Sequence, residues 1–243
     1  MKIIFITLII PLLPQILTAQ IKEGVIIYES KIDMHRRITD ESEKAMVPEF
    51  NKSKVQLIFS AQESTFKNLS EEEDVRDNTD PQGNQTVIRM GSPNNETYKN
   101  FSSGKCTERR ELGPKKYLIE DSLPKQNWKL ENETKMILGH NCKKAKTINR
   151  DSSKVVAWYT EDIQTPSGPE QYGGLPGMIL ELDINDAEFV FTALEIKTKD
   201  FDKSLVKAPT EGKKITPKEF QKILQDEFGA NPNGGPVIRI IRN

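Results

Sequence analysis

Few residues in this chain could act as a nucleophile or a general base. There are two cysteines, Cys106 and Cys142, and two histidines, His35 and His140. His140 and Cys142 stand two residues apart. On a strand that spacing puts both on one face, with their Cβ atoms about 7 Å apart. A Cys–His nucleophile pair is therefore geometrically conceivable, but no glycine motif of the oxyanion type accompanies it. A soft copper site built on His140, Cys142 and nearby methionines lacks a third and fourth ligand at fixed spacing. His35 lies beside Arg36 and Arg37 in polar surroundings. Carboxylates are abundant, yet a pair such as Glu161 and Asp162 alternates across a strand and cannot share one proton-transfer site. There is no GxGxxG, no Walker motif and no His-Glu-x-x-His. The sequence thus offers no metal site, no cofactor and no catalytic set, and it weighs against an enzyme.

The cysteines admit two readings. In an oxidising compartment Cys106 and Cys142 could form a disulfide. It would close a loop of about 35 residues, worth roughly 3–4 kcal/mol in the chain-entropy picture. Alternatively, Cys142 is a small buried hydrophobe and Cys106 a surface thiol.

The compartment is suggested by the first residues. Lys2 precedes an apolar stretch through Leu17, followed by Thr18, Ala19 and Gln20. That is the pattern of a secretory signal peptide over residues 1–19, cut after Ala19 or Gln20. It predicts export to the periplasm or an outer-membrane-associated location, with residues 20–243 as one β-rich domain. Pro11 and Pro14 interrupt the stretch, which argues against a retained anchor. The whole chain has 243 residues and a net charge of −1. Such a balance excludes the basic stripe of a nucleic-acid binder.

The body reads as strands. Ile26, Tyr28, Ile32 and Met34 alternate with charged residues, as do Leu180, Leu182 and Ile184. Val55, Leu57 and Phe59, and Met136 through Cys142, show the same period of two. This marks half-buried strands with one wet face, which antiparallel sheets support. Residues 70–86 are acidic and rich in turn formers, and read as a long exposed loop. They lack the fixed ligand spacing of a calcium loop. Thr216, Pro217 and Glu219 spell a capping box, and Phe220, Ile223, Leu224 and Phe228 follow at helical spacing. Gly229 and Pro232 end that helix, and a last strand is expected over residues 236–242. The fold class that follows is mainly β: a single curved antiparallel sheet, open like a half-barrel, with a C-terminal helix packed on it.

The densest local signal runs from Trp158 to Glu181. Leu175-Pro176-Gly177 suits a type II turn, with proline fixing φ and glycine taking φ > 0. Gly173 and Gly174 allow a backbone or ligand to come close. One reading is a structural corner of the sheet, the other a ligand-contact loop. On the second reading the binding residues are Trp158, Tyr159, Tyr172, Gly174, Leu175, Pro176 and Gly177.

Gly174-Leu175-Pro176-Gly177-Met178-Ile179 resembles the motif of the GLPGLI family, exported proteins of Bacteroidota. Trp128, residues 137–145, Ala157 to Thr160, Gly168-Pro169 and the Thr216–Glu219 helix start extend the similarity over nearly the whole chain. The resemblance supplies no catalytic residues. It implies an exported, periplasmic or outer-membrane-associated role beside a TonB-dependent transporter; the aromatic strand at Trp158–Tyr159 adds a periplasmic protein, a peptide or an apolar ligand as a candidate partner. The expectation is a non-enzymatic binding or accessory protein. The alternatives are a thiol- or carboxylate-dependent enzyme using Cys142 and His140, and a purely structural envelope protein.

Overall fold

A computed structural model describes residues 21–69, 74–79, 85–90, 94–228 and 239–242. The expected leader, residues 1–19, and the helix stops Gly229 and Pro232 lie outside the described residues. The strands are β1 (Gly24–Asp33), β2 (Phe50–Phe59), β3 (Glu63–Asn68), β4 (Asp74–Thr79), β5 (Gln85–Met90) and β6 (Glu96–Asn100). They continue with β7 (Lys105–Leu112), β8 (Lys115–Ser122), β9 (Lys129–Ile137), β10 (His140–Ile148) and β11 (Lys154–Thr160). The last are β12 (Met178–Ile184), β13 (Phe189–Lys197), β14 (Lys213–Ile215) and β15 (Arg239–Arg242). A short helix α1 (Glu41–Met46) and a longer α2 (Pro217–Phe228) complete the elements.

Twelve strands form one open sheet in the order β14-β8-β7-β6-β3-β2-β1-β13-β12-β11-β10-β9. Every pairing in it is antiparallel except β14 on β8. The expected fold class holds: a mainly β chain, an unclosed sheet and a C-terminal helix. The curvature is visible in side-chain contacts. Phe66 on β3 and Phe191 on β13 are three strand steps apart, roughly 14 Å on a flat sheet. Their ring centroids lie 5.8 Å apart, edge to face. The inner face therefore folds towards itself, and Ile26, Tyr28, Leu57, Tyr159, Ile179 and Leu182 meet in one core.

The alternation in sequence understates the burial at the centre. Residues 24–28 of β1 are buried on both faces. Ile26 and Tyr28 enter the core, while Val25 and Ile27 pack with Ile58 under Phe201, Leu205 and Val206. A strap of irregular chain crosses the outer face there, held by the Lys207 carbonyl accepting from Thr65 Oγ1. The outer face is wet only away from this strap.

Helix α2 starts as its capping box requires. The Thr216 amide and hydroxyl donate to Glu219 Oε2 at 2.7 and 2.8 Å, and the Glu219 amide donates back to Thr216 Oγ1 at 3.2 Å. Phe220 stacks at a tilt on Tyr117 of β8, with centroids 5.6 Å apart. The parallel β14 and this helix blunt one end of the sheet. At the other end β9 is the terminal strand.

Two expectations are corrected. Residues 70–86 are not one long loop: β4 and β5 pair antiparallel, and β15 joins β5 in a separate three-stranded sheet. Cross-strand backbone pairing overrides a composition with little apolar content. Cys106 and Cys142 are free, and both are buried. Seven strands separate β7 from β10 in the sheet. The thiols face different neighbours, Cys106 near Glu108 Oε1 and Cys142 near the His140 carbonyl.

Candidate functional site

The corner between β11 and β12 is tied down along its length. Ile163 is fully buried and bridges to Ile21. Thr165 Oγ1 donates to the Ser60 carbonyl at 2.8 Å, and Ser167 Oγ pairs with Ser64 Oγ at 2.8 Å. The Ile179 amide donates to the Ser167 carbonyl at 2.9 Å. Tyr28, from the central strand, donates its hydroxyl to the Ile179 carbonyl at 2.7 Å. Trp128 Nε1 donates to the Gly173 carbonyl at 2.8 Å.

The glycines serve this packing. A Cβ on Gly177 would sit 2.0 Å from the Thr160 carbonyl oxygen, and φ there is +150°. The turn is tighter than the expected type II form: the Gly177 amide donates to the Leu175 carbonyl at 2.7 Å, around Pro176. Of the residues proposed from sequence, Tyr159, Tyr172, Leu175 and Gly177 are buried, whereas Gly174 and Pro176 are exposed. Trp158 is half-buried, with Lys135 Nζ 4.4 Å and Lys144 Nζ 5.5 Å from its ring centroid. The structure thus gathers Tyr159, Tyr172 and Leu175 in the core rather than around a cleft.

Lys99 clasps the same corner from β6. Its residue is 2% exposed, and Nζ donates to the carbonyls of Gly168 and Tyr172 at 2.9 and 2.6 Å. Burial pushes its pKa down to about 8, with the neighbouring Cys106 and Glu170 pulling the other way. Arg110 extends the clasp, reaching Glu170 at 3.0 Å and Glu108 at 2.7 Å.

The groups weighed for catalysis do not assemble a reactive thiol. His140 Nδ1 lies 2.8 Å from Asp162 Oδ2, so the imidazole is occupied with the turn after β11. Burial raises the Cys142 thiol to about 11 and the Cys106 thiol to about 12. Both are protonated at neutral pH and poor nucleophiles. His35 Nε2 donates to the Val47 carbonyl at 2.7 Å. Among the described residues no group of three or more His, Cys, Asp or Glu side chains could hold a metal ion.

A different polar constellation faces solvent at the start of β3. Glu63 lies opposite Asn100 in the β3–β6 pairing, and Tyr98 lies two residues along on the same face. Glu63 Oε1 accepts from the Tyr98 hydroxyl at 2.6 Å and from Asn100 Nδ2 at 2.9 Å. The turn before it is held by Ser60, whose Oγ accepts the amides of Gln62 and Glu63 at 3.3 and 3.1 Å. Burial and the Glu63 carboxylate raise the Tyr98 pKa, so its hydroxyl stays a donor. Beside this cluster is a depression of about 380 Å³ lined by Lys22, Glu23, Ser60, Ala61, Gln62 and Glu63. Its volume lies within the range usual for small-ligand sites, about 300–1,000 Å³.

Sequence reasoning missed Glu63, Tyr98, Asn100 and Lys99. The available signal was the period of two in Tyr98-Lys99-Asn100. That tripeptide carries a single apolar neighbour, Phe101, too little to announce a strand.

Comparison with known proteins gives the family. The family model described as "N-glycanase peptide, N-terminal domain" matches residues 49–219, well over half of the chain. The chain belongs to this family. Among solved structures, PNGF-II in a C2 crystal form matches with TM-score 0.51 and 18% identity, over 83% of this chain and 32% of PNGF-II. The P21 form gives TM-score 0.51 and 17% identity, over 83% of this chain and 33% of PNGF-II. At that identity the likeness is one of fold, and the chain spans about a third of the length of PNGF-II. No curated protein matches the chain.

These findings correct the sequence reading. The GLPGLI resemblance is not supported, because the family match is to an N-glycanase domain. The string at 174–179 records the steric needs of a tight corner, which unrelated sheets can share. With it go the TonB-dependent transporter and the expectation of a non-enzymatic binding or accessory protein. The Cys142/His140 enzyme is opposed by the thiols themselves, which burial keeps protonated.

Proposed function

We propose that this chain serves the removal of N-linked glycans from polypeptides, as the N-terminal domain of an N-glycanase. The observation that carries this reading is the family match over residues 49–219, on the same fold as PNGF-II. The geometry fits such a role. Most of the 158–177 corner packs into the core, while the cluster around Glu63 is accessible beside a depression. A carboxylate with two fixed donors on one oxygen can accept from a further hydroxyl on the other. That arrangement suits a polyhydroxylated substrate.

The test uses the full chain and an N-glycosylated glycopeptide. Released glycan and the conversion of the glycosylated Asn to Asp are read by mass spectrometry, and binding by calorimetry against the same peptide without its glycan. Release, or binding that depends on the glycan, supports the reading. Neither release nor glycan-dependent binding overturns it.

Export is part of the proposal, supported by the Lys2–Ala19 leader pattern. Protein purified from the cells that make it is expected to begin at Gln20 or Ile21 when its N-terminus is sequenced. A retained Met1 would count against export by this leader.

A further inference from the structure

We infer that the depression beside Glu63 is a subsite for an uncharged sugar unit of the glycan. This inference rests on the N-glycanase reading and assigns it a place on the chain.

Three observations carry it. The first is preorganisation. Glu63 does not have to be ordered by a ligand, because Tyr98 and Asn100 already hold its Oε1 at 2.6 and 2.9 Å. Asn100 is itself fixed, its Oδ1 accepting the Ser103 amide at 2.8 Å. Groups held in advance lose little freedom on binding. The second is hydrogen-bonding character. Glu63 Oε2 has no side-chain partner among the described residues and can only accept, Gln62 can both donate and accept, and Lys22 donates. Neighbouring hydroxyls of a sugar ring, each donor and acceptor, match such a mixture.

The third is charge. Lys22 and Glu63 balance, and Glu23 is neutralised by Lys203, whose Nζ contacts Glu23 Oε1. With the charges balanced, neither an acidic sugar nor a metal ion finds a net opposite charge to offset the loss of its hydration. A neutral hexose or N-acetylhexosamine has no such requirement and uses the mixed donors and acceptors directly. The turn at Ser60–Glu63 is also anchored to the scaffold through the Ser60 carbonyl, which accepts from Thr165 of the buried corner. The subsite is therefore rigid on the side facing the core.

Titration calorimetry of the full chain tests this. The probes are a glycopeptide with an uncharged N-linked glycan, its sialylated counterpart and the bare peptide. Glu63→Gln is expected to weaken binding of the uncharged glycopeptide about tenfold or more, the scale of losing a hydrogen bond to a charged group. Gln62→Ala, an exposed position, is expected to weaken it less, and Lys154→Ala on β11 not at all. Circular dichroism confirms that each variant is folded. If wild type binds and folded Glu63→Gln binds equally well, the subsite is wrong and the N-glycan reading survives. Tighter binding of the sialylated form overturns the charge argument and the subsite with it. If wild type neither binds any glycopeptide nor releases glycan, the reading itself falls.

Discussion

The ammonium of Lys99 donates to the backbone carbonyl of Tyr172 at 2.6 Å, joining β6 to a corner 73 residues further along the chain. A second bond, to Gly168, makes the lysine a two-point clasp in the interior. Lysines are almost never fully buried without such partners.

The clasp has a pH signature. Lys99 has a pKa of about 8 in the fold against 10.5 when free. Between those values the unfolded chain holds a proton that the folded chain has lost. The contribution of Lys99 to stability therefore rises with pH across this window, by about 3 kcal/mol in total. The thiols act oppositely. Cys106 and Cys142 go from 9.0 to about 12 and about 11, so their contribution falls as pH rises above 9. Lys99→Met isolates the lysine. It should lower stability at pH 7 by about 1–3 kcal/mol for each of the two carbonyls that lose this donor. In urea unfolding the gap from wild type should widen from pH 7 to 10. A gap that stays constant would show that Lys99 is charged throughout.

Gly174 and Gly177, three residues apart, should respond very differently to alanine. At Gly177 the new Cβ would lie 2.0 Å from a backbone oxygen, and neither atom can move without shifting β11. Gly177→Ala is expected to cost about 3–5 kcal/mol, the range of severe core strain. At Gly174 φ is +79° but nothing lies within 4 Å. Gly174→Ala should cost only the left-handed penalty, about 1–2 kcal/mol. Thermal unfolding of the two variants separates them, and equal losses would contradict the geometry.

The native protein should resist thiol reagents. Cys106 is 2% exposed and Cys142 fully buried, and both thiols are protonated at neutral pH. Titration with a chromogenic disulfide is expected to find no fast-reacting thiol in the native state and two after denaturation, without added reductant. One or no thiol after denaturation would restore a bridge.

Tyr28→Phe tests the tie between the central strand and β12. The hydroxyl is buried and donates to Ile179 at 2.7 Å. Its removal keeps the ring in the core but leaves that carbonyl without its side-chain donor, costing about 1–3 kcal/mol. A loss below about 0.5 kcal/mol in chemical denaturation would mean that the bond contributes little.

What the sequence reveals here depends on how each residue's pattern is broadcast. The alternation around Ile26, Leu57 and Leu182 announces β1, β2 and β12, and Thr216 with Glu219 announces α2. Strand β4, and with it the β4–β5 hairpin, escapes because Asp74–Thr79 offers a single apolar residue, Val75. Their pairing is a backbone property. Lys99 escapes because a buried lysine is written with the same letter as a surface one, and only its neighbours in space reveal the difference. Glu63, Tyr98 and Asn100 come from two strands whose register no single strand encodes. The corner at 174–177 is legible as a turn, but steric need alone dictates its glycines and proline, so the string does not specify a family.

The central position of β1 also bears on synthesis. Ile26 pairs with Ile196, so one flank of this apolar strand has no partner until β13 has been made. Translation runs at about 5–20 residues per second, which leaves that flank bare for roughly 10–30 s. During that interval Ile26 and its neighbours are adhesive to any other extended chain. The order of synthesis thus leaves the middle of the finished sheet as its longest-unsealed edge.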